Sequence, residues 1–205
     1  MAHDQRHRLS TDTDNGMVVI ISGPSGAGKT TITRGVERSI PDAVFSVSWT
    51  TRPPTPADVD GVDYHFVSDE QFEEMRSHDG FLESAGVYGK KYGTPKAWVM
   101  EQLSRGRLVI LEIDVQGAAA VKRQIPSAFG LFILPPSEDA LLSRLRSRKR
   151  ESEELIQKRF GQARNEIEAA RASGVYDAFL VNDDVQRAIA EAVDAVQSRR
   201  QGRFS

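Results

Sequence analysis

Gly23-Pro24-Ser25-Gly26-Ala27-Gly28-Lys29-Thr30 is the stretch on which the fold turns. The apolar run Met17-Val18-Val19-Ile20-Ile21 precedes it, and Thr31-Ile32-Thr33-Arg34-Gly35-Val36, with helical spacing, follows. Strand, glycine-rich loop and helix start, in that order, are the context that G-x-x-x-x-G-K-[ST] needs in order to hold phosphate. Glycines let successive backbone N–H groups turn toward a polyphosphate, and the helix dipole adds positive potential at the same place. In such a loop Lys29 reaches the β- and γ-phosphates, the Thr30 hydroxyl ligates Mg²⁺, and Thr31 sits beside it at the helix start. A turn that only caps a helix would account for the glycines but not for Lys29 and Thr30. The stretch predicts a nucleoside triphosphate site and leaves the fate of the phosphate open.

Upstream, residues 1–16 carry only Leu9 as a sizeable apolar group after Met1, so a disordered tail is expected there. Downstream, the helix should run to Ser39, Pro41 marks a turn, and Ala43-Val44-Phe45-Ser46-Val47-Ser48-Trp49 reads as a second strand. Prolines at 53, 54 and 56 then make a stiff extended connection. Residues 50–93 contain short segments: Tyr64-His65-Phe66-Val67, a helix from Ser68 to His78 with Ser68 and Gln71 as a capping box, and Phe81-Leu82-Glu83. They are expected to form a small lobe inserted into a core of residues 17–49 and 94–205.

In the second half, Thr94 with Pro95 predicts a helix start, and that helix should end near Gly106. Arg107-Leu108-Val109-Ile110-Leu111-Glu112-Ile113-Asp114 reads as a parallel strand covered on both faces. A helix over 116–124, a strand over 129–134 and a Ser137-capped helix follow. That helix runs into the basic stretch Arg144-Leu145-Arg146-Ser147-Arg148-Lys149-Arg150, and a Ser152-capped helix then extends to Ser173. The strand Asp177-Ala178-Phe179-Leu180-Val181 and a C-terminal helix close the chain. Alternating strands and helices predict an α/β fold of three layers around a mainly parallel central sheet.

Bulk properties narrow the function classes. The 205 residues suffice for a large buried core, and 39% hydrophobic with 27% charged residues is ordinary for a globular chain. A net charge of −2 supplies no electrostatic footprint for nucleic acid or a membrane surface. Zero cysteines exclude disulfides and thiolate metal sites. With no apolar run near 18 residues and no signal-peptide core, a cytoplasmic protein is expected.

Ligands of open α/β sheets bind at the carboxyl ends of the strands, where this chain places Glu112 and Asp114, and Asn182-Asp183. The two acids could be partners of Mg²⁺; equally, Asp114 could simply cap the next helix. The basic stretch over 144–150 could be a solvated face paired with Glu151, Glu153 and Glu154. It could also be a lid over residues 143–158 that brings guanidinium charge to a transferring phosphoryl group.

Seven further motifs stand in order: Ser48-x-Thr50-Thr51-Arg52, Gly61-x-Asp63-Tyr64-x-Phe66, Phe81-Leu82-Glu83, Tyr92-Gly93-Thr94, Leu111-Glu112-Ile113-Asp114, Ile133-Leu134-Pro135-Pro136-Ser137 and Val181-Asn182-Asp183. In order and spacing they resemble guanylate kinase, over roughly residues 16–197. The resemblance implies transfer of the γ-phosphoryl group of ATP, bound with Mg²⁺, to GMP, with dGMP as an expected second acceptor. It implies that the lobe holds GMP: Arg52, Tyr64 and Tyr92 at its phosphate, Ser48, Glu83, Thr94 and Asp114 at the guanine, and Glu112 near the acceptor. On the donor side it implies that Arg148 and Arg159 grip the ATP phosphates and that Asn182 lies near the adenine. Guanine offers N1–H and N2–H₂ side by side, which one carboxylate can accept together; adenine has no such pair.

One departure stands out. Where the family carries a second phosphate-binding arginine, this chain has Thr55, and Ala57-Asp58 replaces the usual Gly-Glu. Lys90 or Lys91 is the nearest basic group that could compensate, and weaker GMP binding is the expectation. Two rivals follow: a non-catalytic guanylate-kinase-like module that binds phosphoproteins, which intact Lys29 and Thr30 oppose, and a kinase for another phosphorylated acceptor, which Thr55 favours and Glu83, Tyr64 and Asp114 oppose. Oligomeric state is not legible in the sequence.

Overall fold

A computed structural model describes residues 15–87, 89–147 and 152–204. Five parallel strands form the central sheet: β1 (Met17–Ser22), β2 (Ala43–Phe45), β7 (Leu108–Glu112), β8 (Phe129–Leu134) and β9 (Ala178–Val181), in the order β2-β7-β1-β8-β9. Because side chains alternate across a strand, each strand feeds two cores. Val19, Ile21, Leu108, Ile110, Leu131 and Ile133 pack under α1 (Lys29–Ser39) and α7 (Val185–Arg200). Val18, Ile20, Val109, Leu111 and Phe132 pack on the other face with α3 (Lys96–Ser104), α4 (Val115–Gln124) and α6 (Glu153–Ser173). The result is three layers, with β1 central and buried on both sides.

A second sheet lies between β2 and α3 in sequence. It has the order β4-β3-β6-β5, from β3 (Trp49–Thr50), β4 (His65–Phe66), β5 (Phe81–Val87) and β6 (Lys90–Pro95), with α2 (Asp69–Ser77) against it. Ser68 accepts from Gln71 N and the Gln71 side chain accepts from Ser68 N, the capping box that starts α2. Phe72 of α2 stacks on Phe81 at 4.6 Å, and Trp49 meets the same ring edge-on, giving this sheet its own aromatic core.

Three expectations change here. The run expected as one strand over residues 43–49 is two strands in two sheets. Ser46 N donates to Ile110 O, extending the pairing with β7, and Trp49 then pairs with Gly93 of β6. Thr94 and Pro95 end β6 rather than open a helix; α3 starts at Lys96, and the Thr94 hydroxyl bonds elsewhere. Of the tail expected over 1–16, residues 1–14 lie outside the described residues, but Asn15 is tied down. Its carbonyl accepts from Arg200, whose guanidinium also makes a two-pronged pair with Asp42 at 3.0 and 2.7 Å and reaches Gly106 O. That buried clamp joins α7, the end of α1 and the turn before β7.

Helices α5 (Glu138–Ser147) and α6 share a small core of Leu141, Leu145, Ile156 and Ala163. Ser137 Oγ accepts from Ala140 N and Ser152 Oγ from Leu155 N, so both helices start where their serines predict. Of the basic stretch, residues 148–150 lie outside the described residues, and with them Arg148 and part of the lid expected over 143–158. Arg144 donates to Asn182 O at 2.8 Å and Arg146 pairs with Glu153.

Candidate active site

The carboxyl ends of β1 and β7 open into a cleft of about 550 Å³ bounded on the far side by the second sheet. Its near wall is the glycine-rich loop: Gly23, Ser25, Gly26, Gly28, Lys29, Thr30 and Thr31. Its far wall carries Ser48, Tyr64, Glu83 and Tyr92; Glu112 and Asp114 form the floor, and Arg159 of α6 closes one side. Fourteen residues of the sequence expectation therefore face one space.

The loop is shaped by its glycines. Gly26 and Gly28 have φ of 90° and 92°, and Ala27 N closes a turn onto Pro24 O at 3.1 Å. Gly28 caps α1 with no side-chain acceptor for the first helical N–H groups, which leaves them available to an anion. Lys29 Nζ folds back on its own loop, donating to Gly23 O at 2.6 Å and Pro24 O at 3.2 Å. Thr30 Oγ1 donates to Glu112 Oε1 at 3.0 Å.

The far wall is positioned by β3 and β6. Thr50, fully buried, donates to Lys91 O and accepts from Arg52 N, which fixes where Arg52 leaves the strand. The Arg52 guanidinium lies over Tyr64 at 5.2 Å, and Tyr64 meets Tyr92 at 5.7 Å. These three, assigned by resemblance to the acceptor phosphate, thus form one cluster, although Arg52 itself is not on the cleft wall. It makes a two-pronged pair with Asp58, 3.0 Å on both arms, and Asp58 also accepts from Thr55 N. The Arg52 guanidinium holds the Asp58 carboxyl well below the usual carboxylate range. Burial pushes the Tyr64 hydroxyl up.

Lys91, one of the two lysines named from sequence as able to compensate, does not serve that cluster. It bridges Asp69 and Glu73 of α2 at 2.8 Å each. Tyr92 follows it in the strand, so the two side chains point to opposite faces.

Deeper in the cleft, Glu83 is 9% exposed and accepts from Thr94 Oγ1 at 2.6 Å. Its pKa is raised, chiefly because burial disfavours the charged form, while the Thr94 bond opposes the rise and nearby Asp114 adds to it. Thr94 is thus behind Glu83 rather than on the wall. Asp114 Oδ1 accepts from Gly117 N at 2.8 Å, so it caps α4 while also lining the cleft; the two readings of this residue are compatible.

Asn182, expected near the adenine, is 5% exposed and stands beneath the loop, donating from Nδ2 to Ala27 O at 2.7 Å. Pro24 and Ala27 shape the loop by their backbones without lining the cleft. Among the lining residues that the sequence did not single out, Gln162, Ala163 and Glu166 come from α6. With Arg159 they fall at i, i+3, i+4 and i+7 of α6, the period of one helix face, which was the available signal. Burial raises the Glu166 pKa, with Lys29 opposing and Asp114 adding to the rise.

The oxygen set suits a hard cation. Thr30 and Glu112 converge, and no cluster of three or more His, Cys, Asp or Glu side chains that could hold a metal alone occurs among the described residues. A hydroxyl beside a carboxylate oxygen fits Mg²⁺, which takes few protein ligands and keeps water. Among the described residues no helix is long and apolar enough to cross a membrane.

Comparison with known proteins identifies the family. The family model described as guanylate kinase matches residues 15–199. The chain is 43% identical to a guanylate kinase of Nitrosospira multiformis, covering 92% of this chain and 88% of that one. It is 47% identical to a guanylate kinase of Carboxydothermus hydrogenoformans, with 85% and 84% covered. The crystal structure of guanylate kinase from Anaplasma phagocytophilum superposes with a TM-score of 0.72 at 27% identity, covering 93% of this chain and 89% of that one.

Proposed function

The chain belongs to the guanylate kinase family, and we propose that this cleft brings ATP and GMP together with the side chains divided as follows. The reaction is transfer of the γ-phosphoryl group of ATP to GMP, giving ADP and GDP. A GMP phosphate oxygen attacks the γ-phosphorus, and the bond from that phosphorus to the oxygen left on ADP breaks. One observation carries the division: the phosphate loop and the Glu83–Tyr64–Tyr92 wall face each other across one space.

On the donor side, the uncapped start of α1 and the loop N–H groups receive the phosphates. Lys29 leaves the carbonyls of Gly23 and Pro24 and turns its ammonium to the β- and γ-phosphates. Arg159 adds charge where negative charge spreads in the transition state, and Arg148 is proposed to join it. Thr30, with Glu112 in reach, would hold Mg²⁺. When bound, Mg²⁺ neutralises phosphate charge and helps align donor and acceptor oxygens.

On the acceptor side, the proposed lobe of residues 50–93 holds GMP. Arg52, Tyr64 and Tyr92 bind its phosphate, which must compete with Asp58 for the Arg52 guanidinium. Ser48, Glu83, Thr94 and Asp114 read the guanine. Glu83 must be ionised to accept from N1–H and N2–H₂ together. An adenine would leave that buried carboxylate without donors, a loss the site cannot make up. By the same family resemblance, dGMP is proposed as a second acceptor. A cytoplasmic setting, where ATP is plentiful, suits the reaction.

Separating the two halves tests the division. Lys29→Met should lower kcat by about a hundredfold or more while GMP still binds in calorimetry. Glu83→Ala should weaken GMP binding by about a hundredfold while leaving it measurable, and leave ATP binding intact. Loss of GMP binding in Lys29→Met together with undiminished GMP binding in Glu83→Ala would overturn the assignment.

A further inference from the structure

Gly117 stands in the first turn of α4, and its φ is not in the left-handed region, so its backbone would suit any residue. Alanine is the better helix former at such a position. What it meets explains the glycine. A Cβ there would lie 2.9 Å from Glu83 Oε2, 3.2 Å from Glu83 Cδ and 3.4 Å from Asp114 Oδ1. Its own N–H is the donor that holds Asp114 Oδ1 at 2.8 Å.

We infer that Gly117 is a specificity-determining position in this cleft, acting through the Glu83 carboxylate. It leaves vacant the one volume that lets Glu83 and Asp114 flank each other at the base-reading end. Glu83 cannot yield without loss, because Oε1 is held by the Thr94 hydroxyl at 2.6 Å and the residue is 9% exposed. The atom that a Cβ would displace is the far end of a side chain, not backbone. The fold therefore accommodates the methyl group easily, and the carboxylate moves instead. Stability and base selection come apart at this residue: helix propensity favours alanine, and guanine recognition excludes it.

The inference rests on the proposed guanine-reading role of Glu83. Gly117→Ala in the full chain should still unfold cooperatively, because no backbone need move, and should leave KM for ATP unchanged. KM for GMP should rise by about tenfold or more, with a smaller change in kcat. The preference for GMP over IMP, which lacks the N2 amino group, should narrow. Glu83→Asp, which shortens the side chain by one methylene, should restore part of the GMP affinity in the Gly117→Ala background. In a Glu83→Ala background, Gly117→Ala should fold as well as its parent and add nothing further to KM for GMP. An unchanged KM and GMP/IMP ratio in Gly117→Ala overturns the inference, as does an additional loss in the Glu83→Ala background. If Glu83→Ala alone leaves KM for GMP unchanged, it is the reading of Glu83 that fails.

Discussion

Removing Asn182 should loosen the phosphate loop from below. Its Nδ2 donates to Ala27 O at 2.7 Å in a site only 5% exposed, and a Cβ on Gly28 would collide with the same nitrogen. The side chain is held in place by backbone on both sides: Asn182 N donates to Leu134 O and Asn182 O accepts from Arg144, each at 2.8 Å. Asn182→Ala leaves the Ala27 carbonyl buried without its donor, a loss of about 1–3 kcal/mol. For a chain of this size about 1 kcal/mol lowers Tm by roughly 2–4 °C, so a 2 kcal/mol loss gives roughly 4–8 °C. Thermal unfolding followed by circular dichroism reads the first effect. Steady-state kinetics read the second: kcat/KM should fall for ATP and GTP as donors to a similar extent, because the loop is proposed to hold phosphates and not the base. KM for GMP as acceptor should stay within about twofold, since the far wall is untouched. An unchanged Tm with a loss confined to ATP would refute the bracing role and point to an adenine contact.

Three other outcomes follow from the acceptor side. Glu83→Gln should stabilise the ligand-free protein at neutral pH, since the folded pKa of Glu83 is raised by burial and the ionised form is therefore favoured by unfolding. The Tm gain should be full above the raised pKa and shrink to nothing as pH falls below the ordinary glutamate range, where wild-type Glu83 is protonated in both states; a constant gain across that window contradicts the burial argument. Thr55→Arg should lower KM for GMP by about tenfold or more, the worth of one added charge-assisted phosphate contact of roughly 1.5–3 kcal/mol. Steady-state kinetics showing an unchanged or higher KM count against it. Lys91→Ala, by contrast, should leave KM for GMP within about twofold, because Lys91 faces Asp69 and Glu73; a tenfold rise would place it at the acceptor phosphate.

Where local pattern and local partners coincide, the fold is legible in the chain itself. The run Met17–Ser22, the glycine loop and α1 form as read, because an apolar strand, glycines at positive φ and a helix follow one another without long-range help. The serine caps of α2, α5 and α6 are equally local. Misreadings arise where a distant partner decides. Residues 43–49 keep a strand-like texture while the chain passes from β7 to β6, and alternation carries no record of which sheet it serves. Thr94 has the chemistry of a helix cap but faces Glu83, eleven positions away, across a strand pair. Strand β6, with Lys90, Lys91 and Gly93, has poor β propensity and forms because β3 and β5 flank it. Among site residues, the loop and strand-end acids carry their own chemistry in their types and spacing. Glu83, Tyr64 and Tyr92 would pass as an exposed acid and core aromatics without the family motifs. Gly117 is a residue without a side chain, so only its neighbours, 34 positions away in the case of Glu83, show why it is there.

In the proposed division, two substrates meet in one cleft with a carboxylate that selects guanine. A coupled assay supplying ATP with GMP, dGMP, IMP, AMP and UMP in turn measures that selection directly. Rapid ADP formation with GMP, comparable turnover with dGMP, weaker activity with IMP and rates near background with AMP and UMP are predicted. Turnover of AMP or UMP without turnover of GMP would contradict the central claim.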